Sequence, residues 1–131
     1  MFLDASAVVV IIANEPQADD LCTKIEASTT KFYTSPLAVW ESVAALARIM
    51  KVDTKLVQPI VDAFHRELGV TSVDINHQMA LVALEAFSRY GKGSVHAAGL
   101  NMGDCFSYAA AKACKVPLLS IGNDFWHTDL A

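Results

Sequence analysis

Four acidic residues, Asp4, Glu41, Asp104 and Asp124, are the side chains whose type and placement allow them to do chemistry together. Carboxylates gathered in one cleft, with no Cys or His among them, form a hard oxygen donor set that suits Mg²⁺ or Mn²⁺ rather than zinc or copper. Their repulsion raises some of their pKa values unless a cation offsets it. Such a cation acidifies water into a nucleophile and stabilises charge on a phosphate in transfer. Each acid also has a plainer explanation. Asp4, Asp104 and Asp124 stand where a helix or turn can begin, and Asp is a favoured N-cap. Glu41 resists that explanation. Its surroundings, with Leu37, Val39, Trp40, Val43, Ala44, Leu46 and Ala47, read as a helix apolar almost all round and therefore buried. A carboxylate there needs a cation, a partner or a metal, and the base on the same helix, Arg48, is two turns away.

The elements that must deliver these acids alternate along the chain. Residues 1–4, 31–35, 71–75 and 117–121 read as strands, rich in β-branched, aromatic or aliphatic residues. Between them, residues 6–13, 17–26, 36–50, 53–67, 77–90 and 104–114 carry helical patterns, and Pro36 suits a first helical turn. The alternation predicts an α/β fold with a mainly parallel, buried sheet. In that topology Asp4 closes the first strand, and Glu41 lies in the second turn of the helix entered from the second. Asp104 opens the helix that leads back to the fourth strand, and Asp124 follows that strand. All four therefore fall at the carboxyl edge of the sheet, where open α/β folds bind ligands. Residues 91–103 carry four glycines and form the longest irregular loop, a functional segment or a plain surface connection.

Length and composition set the outer limits. A chain of 131 residues fits one domain spanning residues 1–131. With 53% hydrophobic and 18% charged residues it is not a disordered tail, and it has apolar surface to spare for a partner. The net charge of −4 argues against holding nucleic acid through broad phosphate neutralisation. Ala7 to Ala13, the longest apolar run, is far shorter than the roughly 20 residues that span a bilayer, and no Lys or Arg precedes it as in a secretory signal. A cytoplasmic location without membrane contact is expected. Cys22, Cys105 and Cys114 lack metal spacing and fit reduced, mostly buried thiols.

Four motifs, Phe2-Leu3-Asp4-Ala5-Ser6, Trp40-Glu41-Ser42, Gly103-Asp104-Cys105-Phe106-Ser107-Tyr108-Ala109 and Gly122-Asn123-Asp124-Phe125, together resemble the PIN-domain family, and within it the VapC-type toxins of toxin-antitoxin pairs. The resemblance runs over nearly the whole chain. It implies a three-layer domain with helices flanking the central sheet, and a Mg²⁺- or Mn²⁺-dependent endoribonuclease neutralised by a VapB-type antitoxin. Asp4 and Asp104 match the principal metal ligands, Glu41 the central acid, Asp124 the variable fourth acid, and Ser6 a supporting hydroxyl beside the ligands. It also implies a homodimer, for which the apolar segments 37–50 and 57–64 offer a patch or an antitoxin groove. Metal-activated water attacking a phosphodiester in line is the mechanism expected.

Other residues carry weaker signals. Cys105 adjoins Asp104, whose charge disfavours a thiolate, so a core thiol is expected. His65 and His77 read as surface or cap residues, whereas His96 and His127 could contact RNA, as could Lys92 in the glycine loop. Trp126 and Phe125 offer a base-stacking face, with packing against helices as the simpler role. Two competing functions remain open. One is a haloacid-dehalogenase-type phosphatase, which would need an acid where Ser6 stands. The other is a non-catalytic α/β binding module, in which the acids are caps.

Overall fold

The computed structural model describes residues 1–93 and 98–130. Strands β1 (Phe2–Leu3), β2 (Tyr33–Thr34), β3 (Thr71–Ser72) and β4 (Leu118–Leu119) form one sheet in the order β3-β2-β1-β4, parallel throughout. Phe2 pairs with both Tyr33 and Leu118, so β1 occupies a central position. Six α-helices lie among the described residues: α1 (Ala5–Ile12), α2 (Ala18–Ala27), α3 (Pro36–Met50), α4 (Thr54–Glu67), α5 (His77–Tyr90) and α6 (Met102–Cys114). A 3₁₀ turn, Asp124–His127, follows β4.

Successive strand residues face opposite sides of a sheet. Phe2 accordingly enters a core made with α5 and α6, including Met79, Ala83, Tyr108 and Ala109. Leu3 enters the opposite core, made with Val8 of α1 and Leu21 and Ile25 of α2. Helices thus cover both faces, and the expected α/β class with its parallel sheet is the one the chain adopts. The sheet is less buried than its sequence suggested, since Thr71 and Ser72 of the edge strand β3 are both exposed.

Helix α3 starts where Ser35 Oγ accepts the Ala38 N–H at 3.1 Å and Pro36 occupies the first position. The expectation that this helix is buried all round is corrected. It buries only a stripe, Ala38, Ser42, Leu46 and Ala47, and Trp40 is 68% exposed. Leu46 and Ala47 pack with Val9 of α1 and with Val57 and Val61 of α4. His65 is a second correction: it is buried in α4 rather than at the surface, and burial holds its imidazole below the usual range, partly countered by Asp62. His77 is exposed as expected. Among the described residues, no helix is long and apolar enough to cross a membrane.

Candidate active site

Asp4 follows β1 directly and caps α1 with extended backbone angles. Its Oδ2 accepts the Ser6 N–H at 3.0 Å and the Ser6 hydroxyl at 2.6 Å, and its Oδ1 accepts the Ser107 hydroxyl at 2.6 Å. Ser6 Oγ itself accepts the Ile121 N–H at 3.0 Å, so its single proton is committed to Asp4. The chain leaving β4 is thereby tied to the end of β1. Ser6 occupies the position where a haloacid-dehalogenase-type site would need an acid, and it works here as a donor.

Asp104 is the third residue of α6, not its first. Asn101 is the cap, and Asn101 and Asp104 form a reciprocal box: Asp104 N–H donates to Asn101 Oδ1 at 2.9 Å, and Asn101 N–H donates to Asp104 Oδ2 at 3.1 Å. The start predicted at residue 104 was late because Gly103, a poor helix former, reads as loop. Glu41, in the second turn of α3, comes against the first turn of α6, its carboxylate lying on Gly103.

The electrostatics show which acids share a neighbourhood. Glu41 is pushed up to about 7, first by burial, then by the charges of Asp4 and Asp104. Asp104 is pushed up to about 6, again first by burial, with the Asn101 N–H opposing and the charges of Asp4 and Asp124 adding. Asp4, Glu41 and Asp104 thus form one repelling cluster, with Asp124 joined to it through Asp104. Asp124 opens the 3₁₀ turn and is exposed.

Among the described residues, no Lys or Arg forms an ion pair with any of the four, because the two pairs found are Lys24–Asp20 and Lys112–Asp129. Arg48 shares a cleft of about 570 Å³ with Glu41, Ser6, Val9 and Trp40 without pairing to the acid. A larger cleft of about 670 Å³, between α2 and the exit of β4, contains none of the four acids.

As the side chains stand, no group of three Asp, Glu, His or Cys among the described residues is drawn close enough to cage a metal ion. The donor set still fits a hard divalent cation: it is all oxygen, no Lys or Arg among the described residues pairs with it, and burial together with neighbouring charge has moved two of its carboxyl groups toward neutrality.

Three comparisons bear on what this edge is. Residues 1–130 match the PIN domain family. The chain belongs to the PIN-domain family. Within it, this PIN domain is 39% identical to a VapC ribonuclease of Rhizobium meliloti over 98% of both chains. It is 35% identical to a VapC ribonuclease of Mycobacterium bovis, over 99% of this chain and 96% of that one. The crystal structure of Mycobacterium tuberculosis VapC20, described as a sarcin-ricin loop cleaving toxin, has the same fold at a TM-score of 0.72 and 16% identity, covering 95% of this chain and 92% of that one.

Cys105 is a buried thiol pushed up to about 11 by burial and then by Asp104, while Cys22 and Cys114 are half-buried and free. Phe125 packs into the core, but Trp126, for which packing was also the simpler role, is 71% exposed. Lys92 and His127 are exposed, and His96 lies outside the described residues. Ser107 was not anticipated. It lies one turn beyond Asp104 on α6, a spacing that puts both on one face, and that spacing was the available signal. Ser107→Ala removes a buried hydrogen bond to Asp4 and is expected to cost about 1 kcal/mol, seen as a fall of about 4 °C in Tm. A thermal melt of the metal-free variant measures it, and an unchanged Tm would mean the bond adds nothing net.

Proposed function

We propose that this PIN domain is a Mg²⁺- or Mn²⁺-dependent endoribonuclease toxin of the VapC type, acting in the cytoplasm and neutralised by a VapB-type antitoxin. We read residues 1–131 as one such domain. The observation that carries the reading is the cluster of Asp4, Glu41 and Asp104, brought from three separate segments to one sheet edge, where burial first and neighbouring charge second raise the Glu41 and Asp104 carboxyls. Asp4 and Asp104 are proposed as the principal metal ligands, Glu41 as the central acid holding metal directly or through water, and Asp124 as an outer fourth acid.

A bound divalent cation supplies acidified water and charge stabilisation at the scissile phosphate. The protein's own groups do the rest. Ser6 and Ser107 fix the Asp4 carboxylate from both oxygens, and the Asn101–Asp104 box fixes Asp104. Glu41, pushed up to about 7, would have to be ionised to hold the cation. The Cys105 thiol beside Asp104 supplies no competing nucleophile, since it is protonated at neutral pH.

Exposed apolar side chains support the partners. Trp40, Ile49 and Leu56 on α3 and α4, and Leu84, Phe87 and Met102 on α5 and α6, are available to a second copy or an antitoxin. The experiment is cleavage of structured RNA by the purified protein. Defined internal cuts are expected with Mg²⁺ or Mn²⁺ and none with EDTA. Full-rate cleavage in chelator, or no cleavage of any RNA with metal present, would overturn the reading.

A further inference from the structure

Gly103 stands second in α6, between the cap-forming Asn101 and its partner Asp104. It is helical and is absent from the positions of positive φ, so its backbone makes no demand for a residue without a Cβ. Ala is the better residue at a helical position. The glycine therefore has another cause. A Cβ built on Gly103 would lie 2.8 Å from Cδ and 2.9 Å from Oε1 of Glu41, closer than real Cβ atoms come, and the nearest atoms it meets all belong to that carboxylate. Glu41, carried on α3, thus lays its carboxylate on the bare Cα of the first turn of α6. A helix N-terminus favours negative charge there. Nothing else among the described residues hydrogen-bonds to Glu41 or pairs with it, so this contact is what sets its direction.

We infer that Gly103 is a positioning residue: its missing side chain makes the seat that holds the Glu41 carboxylate beside Asp104, in the cluster proposed to take up the cation. The inference rests on the proposed roles of those acids. It also accounts for a residue that costs helix stability at the start of α6. An added methyl would displace the end of a flexible side chain rather than backbone, so it would disturb the site and spare the fold.

The test compares wild type with Gly103→Ala, Glu41→Asp and the double variant. Metal-free crystal structures, Mn²⁺ affinity by calorimetry and steady-state RNA cleavage are the readouts. In Gly103→Ala the Tm is expected to stay within about 3 °C of wild type, while the Glu41 carboxylate moves off its seat by more than about 1 Å and kcat falls about 30-fold with KM little changed. Mn²⁺ affinity is expected to fall about tenfold. Glu41→Asp alone also loses activity, but its shorter side chain leaves room for the methyl. In the Gly103→Ala background it is therefore expected to cost little or to restore rate, a non-additive pair.

An unmoved carboxylate with wild-type Mn²⁺ affinity in Gly103→Ala overturns the inference. So do losses that simply multiply in the double variant, or a collapse of Tm shared by both variants, which would make Gly103 a packing residue. If Gly103→Ala fails to fold and the double variant folds, the clash with Glu41 is the cause and the inference stands. Should wild type neither bind Mn²⁺ nor cleave RNA, the proposed function fails, and the crystal structures still decide the seat.

Discussion

Asp104→Asn is expected to lower the rate of RNA cleavage by about three orders of magnitude, or about 4 kcal/mol of barrier, while the protein stays folded. The substitution keeps the shape of the side chain. Its carbonyl oxygen still accepts the Asn101 N–H, so the box that starts α6 survives. What disappears is one negative charge from a half-buried cluster. That loss weakens cation binding, and it also relieves Glu41, whose carboxyl Asp104 helps to push up. The metal-free variant is therefore expected to melt no lower than wild type, and Mn²⁺ to shift its Tm much less. Asp124→Asn provides the contrast. Asp124 is exposed and its charge acts on the cluster through Asp104, so about a tenfold loss or less is expected, in the range of groups that support metal ligands. Single-turnover cleavage with paired thermal melts measures both. An Asp104→Asn protein that cuts at the wild-type rate would remove Asp104 from the site, and a larger loss at Asp124 would reverse the ranking.

The convergence of these acids was readable before any coordinates, because it follows from topology alone. A parallel sheet with helical crossovers sends Asp4, Glu41, Asp104 and Asp124 to one edge whatever the details of packing. What could not be read was set by contacts distant in sequence. Ser107 reaches Asp4 across 103 positions, and Ile121 reaches Ser6 across 115. The burial of α3 was overestimated for a related reason. Apolar composition marks a helix as able to pack on every side, but whether a neighbour exists depends on the other helices, and Trp40 of α3 is left exposed. His65 erred in the opposite direction. A histidine near a helix end reads as a surface group, yet α4 turns it inward, and its Nε2 is buried without a hydrogen-bond partner among the described residues. Gly103 illustrates the limit of local signals. From sequence a glycine before Asp104 marks a loop, whereas its use lies in a carboxylate arriving from another helix.

Without metal, stability is expected to fall as pH rises from about 5 to about 8, and with saturating Mn²⁺ that fall is expected to reverse. In the folded protein Glu41 is pushed up to about 7 and Asp104 to about 6, against ordinary values of 4.5 and 3.8. Between those limits the folded state binds more protons than the unfolded chain, so the stabilisation present at low pH is lost as pH climbs through the folded values. Both groups are partly open to solvent. Allowing for screening, a metal-free loss of about 1 kcal/mol is expected, a Tm lower by about 4 °C at pH 8 than at pH 5. Cation binding requires the same carboxyls ionised, so Mn²⁺ adds little at pH 5. At pH 8, with metal at about 100 times its Kd, it adds about 2.7 kcal/mol, a rise of about 10 °C. His65 acts with the opposite sign, since a buried imidazole held below its usual value makes stability rise with pH. Its contribution is the same with and without metal. The difference between melts in Mn²⁺ and in EDTA across pH 5 to 8 therefore isolates the acids. If that difference does not change with pH, Glu41 and Asp104 do not lose protons to solvent when the cation binds.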